Sequence, residues 1–210
     1  MILIGYSGHA YVAANILMLA GTPATHYCDM HAKEQNPYGL LYLGREDEPA
    51  ALQLMRQDGC FIAIGNNQLR EKVFNKLKGA RVDPINAVHQ QTIIAEDLGF
   101  TFKGTMISAG AIVNPHAVIG DAVILNTGCI IEHECSVGDF AHIGPGAVLC
   151  GNVEVGAKSF VGAGAVVRQG IVIGKNVTIG AGSVVVKDVE DNAVVIGNPA
   201  REVFPREGRL

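Results

Sequence analysis

From residue 107 to residue 190 the chain repeats every six residues without a slip. Aliphatic residues stand at Ile107, Val113, Ile119, Leu125, Ile131, Val137, Ile143, Leu149, Val155, Val161, Val167, Ile173, Ile179 and Val185. Four residues after each comes a second apolar or small residue, Cys129, Cys135, Ser159 and Ser183 among them. A strict short period is the mark of a solenoid, and a period of six marks a parallel β-helix. Strand alternation sets the geometry. The aliphatic residue and the small one two before it point inward, and the residue between them points out. Three hexads close one triangular coil. Gly follows the aliphatic residue at Gly120, Gly138, Gly144, Gly156, Gly162, Gly174 and Gly180, where it is expected to supply a turn conformation that other residues resist.

Taking every third hexad sorts the outward positions by face. One face shows Ile112, Ile130, Val148, Val166 and Val184, all apolar. A second shows Val118, Ser136, Glu154 and Val172, and the third Met106, Ile124, His142, Phe160 and Thr178. A uniformly apolar exposed stripe marks an interface. A three-sided prism packs naturally about a threefold axis, so the expected assembly is a homotrimer.

The N-terminal half has a different grammar. Met1–Gly5 reads as a buried strand and Ala10–Leu19 as a helix ending at Gly21. Strands over 26–29 and 61–65 and helices over 50–57 and 68–78 follow. This alternation predicts a parallel sheet with crossover helices, a Rossmann-like α/β domain over residues 1–88 ahead of a β-helix domain with a C-terminal tail over 89–210. Ligands of such sheets bind beyond the carboxyl ends of the strands, where Ser7, Gly8, His9, Asp29, Gly65 and Asn66 gather. Gly5-x-Ser7-Gly8-His9 can cradle phosphate on free backbone N–H groups or can simply be a tight turn. It is not the full dinucleotide fingerprint, so NAD is not implied. Asp29 can accept from a base or ribose, or cap its strand.

Composition excludes several classes. The net charge is −4 with no basic block, so nucleic acid is not an expected partner. Residues 1–21 carry no charged side chain, yet lack the basic lead of a signal peptide and include polar residues unsuited to lipid, so no membrane span is expected. The five cysteines have no metal spacing and read as packing residues in a reducing cytoplasm.

Of the hexad histidines His116, His133 and His142, His133 stands out because Glu132 and Glu134 flank it and it follows the apolar stripe at Ile130. An imidazole oriented by a carboxylate is a plausible general base, and either glutamate could be its partner. The opposing reading is a solvated His–Glu corner.

The whole chain then resembles the bacterial nucleotide-sugar N-acetyltransferases of the bacillosamine pathway, relatives of the sialic-acid O-acetyltransferases. The resemblance rests on Gly5-x-Ser7-Gly8-His9, on residues 61–67 (Phe-Ile-Ala-Ile-Gly-Asn-Asn), on Leu125-Asn126-Thr127 through Cys135, on Cys150-Gly151-Asn152-Val153 and on Gly197-Asn198-Pro199-Ala200-Arg201. It implies a left-handed β-helix and an acetyl-CoA-dependent transfer to the 4-amino group of a UDP-linked sugar, with acetyl-CoA as co-substrate and no metal. It implies His133 as general base and Glu134 as its helper. It places acetyl-CoA against His142, Gly151, Ala163 and Ala181, and the nucleotide-sugar against Ser7, Gly8, His9, Asp29, Gly65 and Asn126. Where relatives often carry a second acid after the strand-end Asp, this chain has Met30. The runner-up activity is O-acetylation of a sialic acid or another sugar hydroxyl. A zinc β-helix enzyme using the three histidines and a non-catalytic nucleotide-sugar sensor stand further back.

Overall fold

The computed structural model describes residues 1–98 and 101–203. The N-terminal domain runs β1 (Ile2–Ile4), α1 (Gly8–Leu19), β2 (His26–Cys28), β3 (Leu41–Tyr42), α2 (Pro49–Asp58), β4 (Cys60–Ile62) and α3 (Asn67–Gly79). The four strands are parallel in the order β3-β2-β1-β4. β1 and β4 are buried on both faces, as unbroken apolar runs in a parallel sheet must be. α2 begins at Pro49, whose missing N–H costs nothing there, and closes at Gly59 with φ 78°. The Asn66 side chain caps α3 by accepting from the Leu69 N–H. The expected helices and strands are all present within a few residues, and β3 was not foreseen. β4 is shorter than the 61–65 expected. After the Ala63 N–H bonds the Ile4 carbonyl, the Ile64 and Gly65 carbonyls turn away to accept from Arg70.

A left-handed β-helix of strands that are two residues long, save Val194–Ile196, follows, stacked in three sheets that are parallel except where Arg201–Glu202 closes one of them antiparallel to Val194–Ile196. Consecutive coils pair eighteen residues apart, as Ile124↔His142↔Phe160. Ala87–Val88 already pairs with Met106–Ile107, so the ladder begins just ahead of residue 89. The predicted 89–210 span also includes residues 99, 100 and 204–210, which lie outside the described residues. The inward aliphatic and small residues form one buried column. The two inward serines are satisfied within it. Ser159 Oγ donates to the Gly174 carbonyl, and Ser183 Oγ accepts from the Gly197 N–H.

The glycines after the aliphatic residues are there for a different reason than the sequence suggested. Positive φ falls two residues later, where Gly128 (64°) and Glu134 (60°) both adopt it. What the earlier glycines permit is close stacking of coils. A Cβ on Gly162 would sit 2.5 Å from the Ala181 nitrogen, and one on Gly156 2.5 Å from the Gly174 carbonyl carbon.

The N-terminal domain sits on one face of the prism. Met106 and Ile124, outward by pattern, are buried beneath it with Leu3, Tyr6 and Ala10. Along the adjoining edge, Val73 and Phe74 of α3 pack with Ala122 and Phe140.

Candidate active site

The β-helix has three edges. Each coil passes from the covered face (Met106, Ile124, His142, Phe160) to the apolar face (Ile112, Ile130, Val148, Val166, Val184), then to the polar face (Val118, Ser136, Glu154, Val172). His133 and Gly151 occupy the edge between the apolar and polar faces, one coil apart. Ala163 and Ala181 occupy the edge between the covered and apolar faces. In a triangular section, the edge carrying His133 lies opposite the covered face.

At His133 the Nδ1 atom is 3.0 Å from Glu134 Oε2, and both side chains are more than half exposed. Of the two flanking glutamates, Glu134 is thus the one in contact. Glu134 has φ 60°, a left-handed turn that brings its carboxylate back toward the preceding ring. With Nδ1 engaged, Nε2 is the nitrogen left for a substrate. The ring lies over Gly151, where a Cβ would come within 2.6 Å of Cε1 and Nε2. Gly151 therefore seats the imidazole.

Where β1 and β4 diverge at the carboxyl end of the sheet lies a cavity of about 370 Å³ whose lining includes Gly5, Ser7, Asp29, Met30, Gly65 and Asn66. This is the switch point of the strand order. Asp29 proves to be a brace. Its Oδ2 accepts from the Tyr6 N–H (3.0 Å) and pairs with Lys33 (3.1 Å), while Oδ1 accepts from the Met30 N–H (2.7 Å). Of the two roles the sequence left open, the strand-end cap is the one its contacts display. Gly8 opens α1 with nothing within 4 Å of where a Cβ would stand, so the first turn is open to an approaching group.

His9, Gly65, Asn126 and His142 converge at the seam between the domains. The His9 and His142 rings are 6.0 Å apart, and His142 stands edge-on to Phe160 at 5.1 Å. Asn126 Nδ2 lies 3.1 Å from His142 Nε2, and Gly65 stands against the His9 ring, whose Cγ is 3.7 Å from where a Cβ on Gly65 would be. Burial, reinforced by the nearby Arg70 charge, lowers both histidines to about 4, so both are neutral near pH 7. His9 Nε2 is buried with no hydrogen-bond partner among the described residues. His142, assigned to acetyl-CoA by resemblance, thus sits among the residues assigned to the sugar and far around the prism from His133.

Sequence reasoning missed Arg70, which is 1% exposed. Its guanidinium donates to the carbonyls of Ala122 (2.7 Å), Phe140 (2.7 Å), Ile64 and Gly65 (3.0 Å each) and to Asn67 Oδ1 (2.9 Å). Burial lowers its pKa to about 9. It fixes the cavity rim to the β-helix edge. A signal was available: Arg70 heads the buried i, i+3, i+4, i+7 row of Val73, Phe74 and Leu77.

Comparison with known proteins fits both halves. Residues 1–77 match the PglD N-terminal domain, and residues 134–169 and 152–187 match the bacterial transferase hexapeptide (six repeats). A mutant of perosamine N-acetyltransferase from Caulobacter crescentus, solved with CoA and GDP-perosamine, is 33% identical, with a TM-score of 0.89 over 97% of this chain and 96% of its own. The acetyltransferase domain of PglB from Neisseria gonorrhoeae, solved with acetyl coenzyme A, is 29% identical, with a TM-score of 0.85 over 96% and 98%. WeeI from Acinetobacter baumannii shares the fold at 23% identity, with a TM-score of 0.82 over 96% and 98%. No match was found among curated protein sequences. A relative one-third identical along nearly its whole length, carrying the same pair of domains, settles the kinship: the chain belongs to the hexapeptide-repeat sugar N-acetyltransferases with a PglD N-terminal domain.

Proposed function

We propose that this protein transfers the acetyl group of acetyl-CoA directly to the 4-amino group of a nucleotide-linked amino sugar. The amine nitrogen attacks the thioester carbon. His133 Nε2 takes the proton, the C–S bond breaks, and the proton passes to the departing CoA sulfur. Glu134 positions the imidazole through Nδ1. The Gly151 N–H, which donates to no acceptor among the described residues, is the donor for the tetrahedral oxyanion. An acyl-enzyme is not required. Cys28, Cys60 and Cys129 are pushed up to about 12 by burial and make poor nucleophiles.

The carrying observation is the His133–Glu134 pair seated on Gly151 at an exposed edge. That edge lies opposite the face bearing the chain's own nucleotide cavity. A base and a cavity on opposite sides of one prism serve the same reaction only if neighbouring copies bring them together. This supports the homotrimer, with the apolar face as the seam, extended by the 65% exposed Ile93 in register with Ile112. Acetyl-CoA would lie in that seam, against Ala163 and Ala181 of one copy and Gly151 of the next. The relatives bind CoA, acetyl coenzyme A and GDP-perosamine; the resemblance read from sequence gave UDP as the carrier. No helix among the described residues is long and apolar enough to cross a membrane.

The test is acetyl-CoA consumption against a panel of nucleotide-linked 4-amino sugars, with the matching 4-hydroxy sugars as controls. Turnover on the amines supports the reading. Turnover confined to hydroxyl acceptors would replace N-acetyl with O-acetyl transfer.

A further inference from the structure

We propose that the cavity at the ends of β1, β2 and β4 selects a guanine base, read by the Glu46 carboxylate. The proposal rests on the nucleotide-sugar reading above and names the carrier. Glu46 lies between β3 and α2, and its side chain lines the cavity at only 12% exposure. Lys76 Nζ holds Oε1 at 2.6 Å, while Oε2 has no hydrogen bond among the described residues. The surrounding wall is apolar, formed by Ile4, Cys28, Ile64 and Val73. A half-used carboxylate in such a slot is a costly arrangement unless a ligand brings donors to it. Asp29, the other acid of the lining, is more heavily engaged, with Tyr6, Met30 and Lys33 on its two oxygens. Glu46 has Lys76 alone among the described residues and keeps acceptor capacity on both oxygens, since each carboxylate oxygen has two lone pairs.

The nucleobases differ in what they can offer. Guanine presents two adjacent donors, N1–H and the 2-amino group, which match the two oxygens of a carboxylate. Uracil presents one N–H between two carbonyl oxygens that a carboxylate repels. Cytosine and adenine each set one amino donor beside a ring acceptor. Only guanine satisfies a carboxylate on both oxygens. Two apolar side chains stand at the cavity where a planar ring needs cover, Met30 at the end of β2 (61% exposed) and Leu69 at the start of α3 (49% exposed). Met30 thereby acquires a role as a lid over the base.

The test is calorimetric titration of the full-length protein with GDP, IDP, UDP and CDP separately. GDP should bind tightest. IDP, which differs only in lacking the 2-amino donor, should bind at least about tenfold more weakly, the worth of one charge-assisted hydrogen bond. In Glu46→Gln, GDP affinity should fall at least about tenfold while UDP affinity does not fall. Should that variant fail to fold, the GDP-to-IDP ratio of the unaltered protein carries the test. Equal affinity for GDP and IDP overturns the proposal. UDP binding tightest overturns it too, while leaving the nucleotide-sugar reading in place. Binding of none of the four overturns both.

Discussion

Two faces of the β-helix carry apolar outward rows, and they meet opposite fates. Met106 and Ile124 are 0% and 2% exposed because α1 and the sheet lie on them. Ile112, Ile130, Val148, Val166 and Val184 have no such cover and stay partly exposed. The covered row gives way to His142 and Thr178, and Arg70 threads the edge of its seam into backbone carbonyls. The uncovered row has no polar member. A seam between two domains of one chain needs directional bonds to set a single arrangement, since apolar contact is non-directional. A seam between identical copies can draw its orientation from symmetry, and a plain apolar stripe suffices.

Charging the uncovered face should have the largest effect. If the proposed homotrimer closes on this face, Val148→Glu should dissociate it and abolish activity, because an unpaired carboxylate would be buried at the centre of the seam. Val172→Glu on the polar face, 44% exposed, should do neither. Light scattering beside the acetyl-CoA assay distinguishes them, and a monomeric unaltered protein would end the comparison. Next comes His133→Ala, which should lower kcat roughly 10²–10⁴-fold, the range of a general base, without disturbing fold or assembly. Mixing it after dissociation with Asp29→Ala, which removes the brace that holds Tyr6, Met30 and Lys33 at the cavity rim and should disable the cavity, should restore activity in trans. Random mixing puts an intact base beside an intact cavity at about one interface in four. No recovery would mean that base and cavity act within one chain.

The fold was almost entirely legible, and for a physical reason. A hexad that stacks on itself leaves no freedom in which residue faces inward, so period alone settled the inward column from Ile107 to Val185. The site was legible only in its local parts. His133 and Glu134 are neighbours in sequence, and their contact follows from one turn. His9 and His142 are 133 positions apart, and what joins them is how one domain sits on the other, which no period encodes. The same blindness hid Arg70 and Glu46. The burial of the third face was half visible, since Met106 and Ile124 are poor residues to leave in water.

The covered seam makes its own predictions, smaller than those above. Arg70→Met should destabilise the protein by about 3–5 kcal/mol, because it leaves buried carbonyls on both domains without donors. Denaturant melting should show the loss, with the N-terminal domain separating first while the β-helix signal persists. A change under about 1 kcal/mol would show that apolar packing alone holds the seam.

The smallest effect is a pH dependence peculiar to the covered seam. His9 and His142 are held at about 4 in the folded protein, against an ordinary 6.5. A base with a depressed folded pKa favours folding while it stays neutral. Its contribution is fully present above pH 6.5 and is lost as the pH falls toward 4, where the unfolded chain binds the extra proton. For His142 this amounts to at most about 3 kcal/mol, from the size of the shift. Partial exposure of His9 and the coupling of both rings to Arg70 keep the sum below twice that. Melting curves between pH 7 and pH 4.5 should therefore fall, and His142→Asn should flatten the fall. The isostere keeps a polar group beside Asn126 and removes the titration. Destabilisation of equal slope in His142→Asn would place the acid sensitivity outside this seam, and stability unchanged down to pH 4.5 would mean that the two rings are not buried as the seam requires.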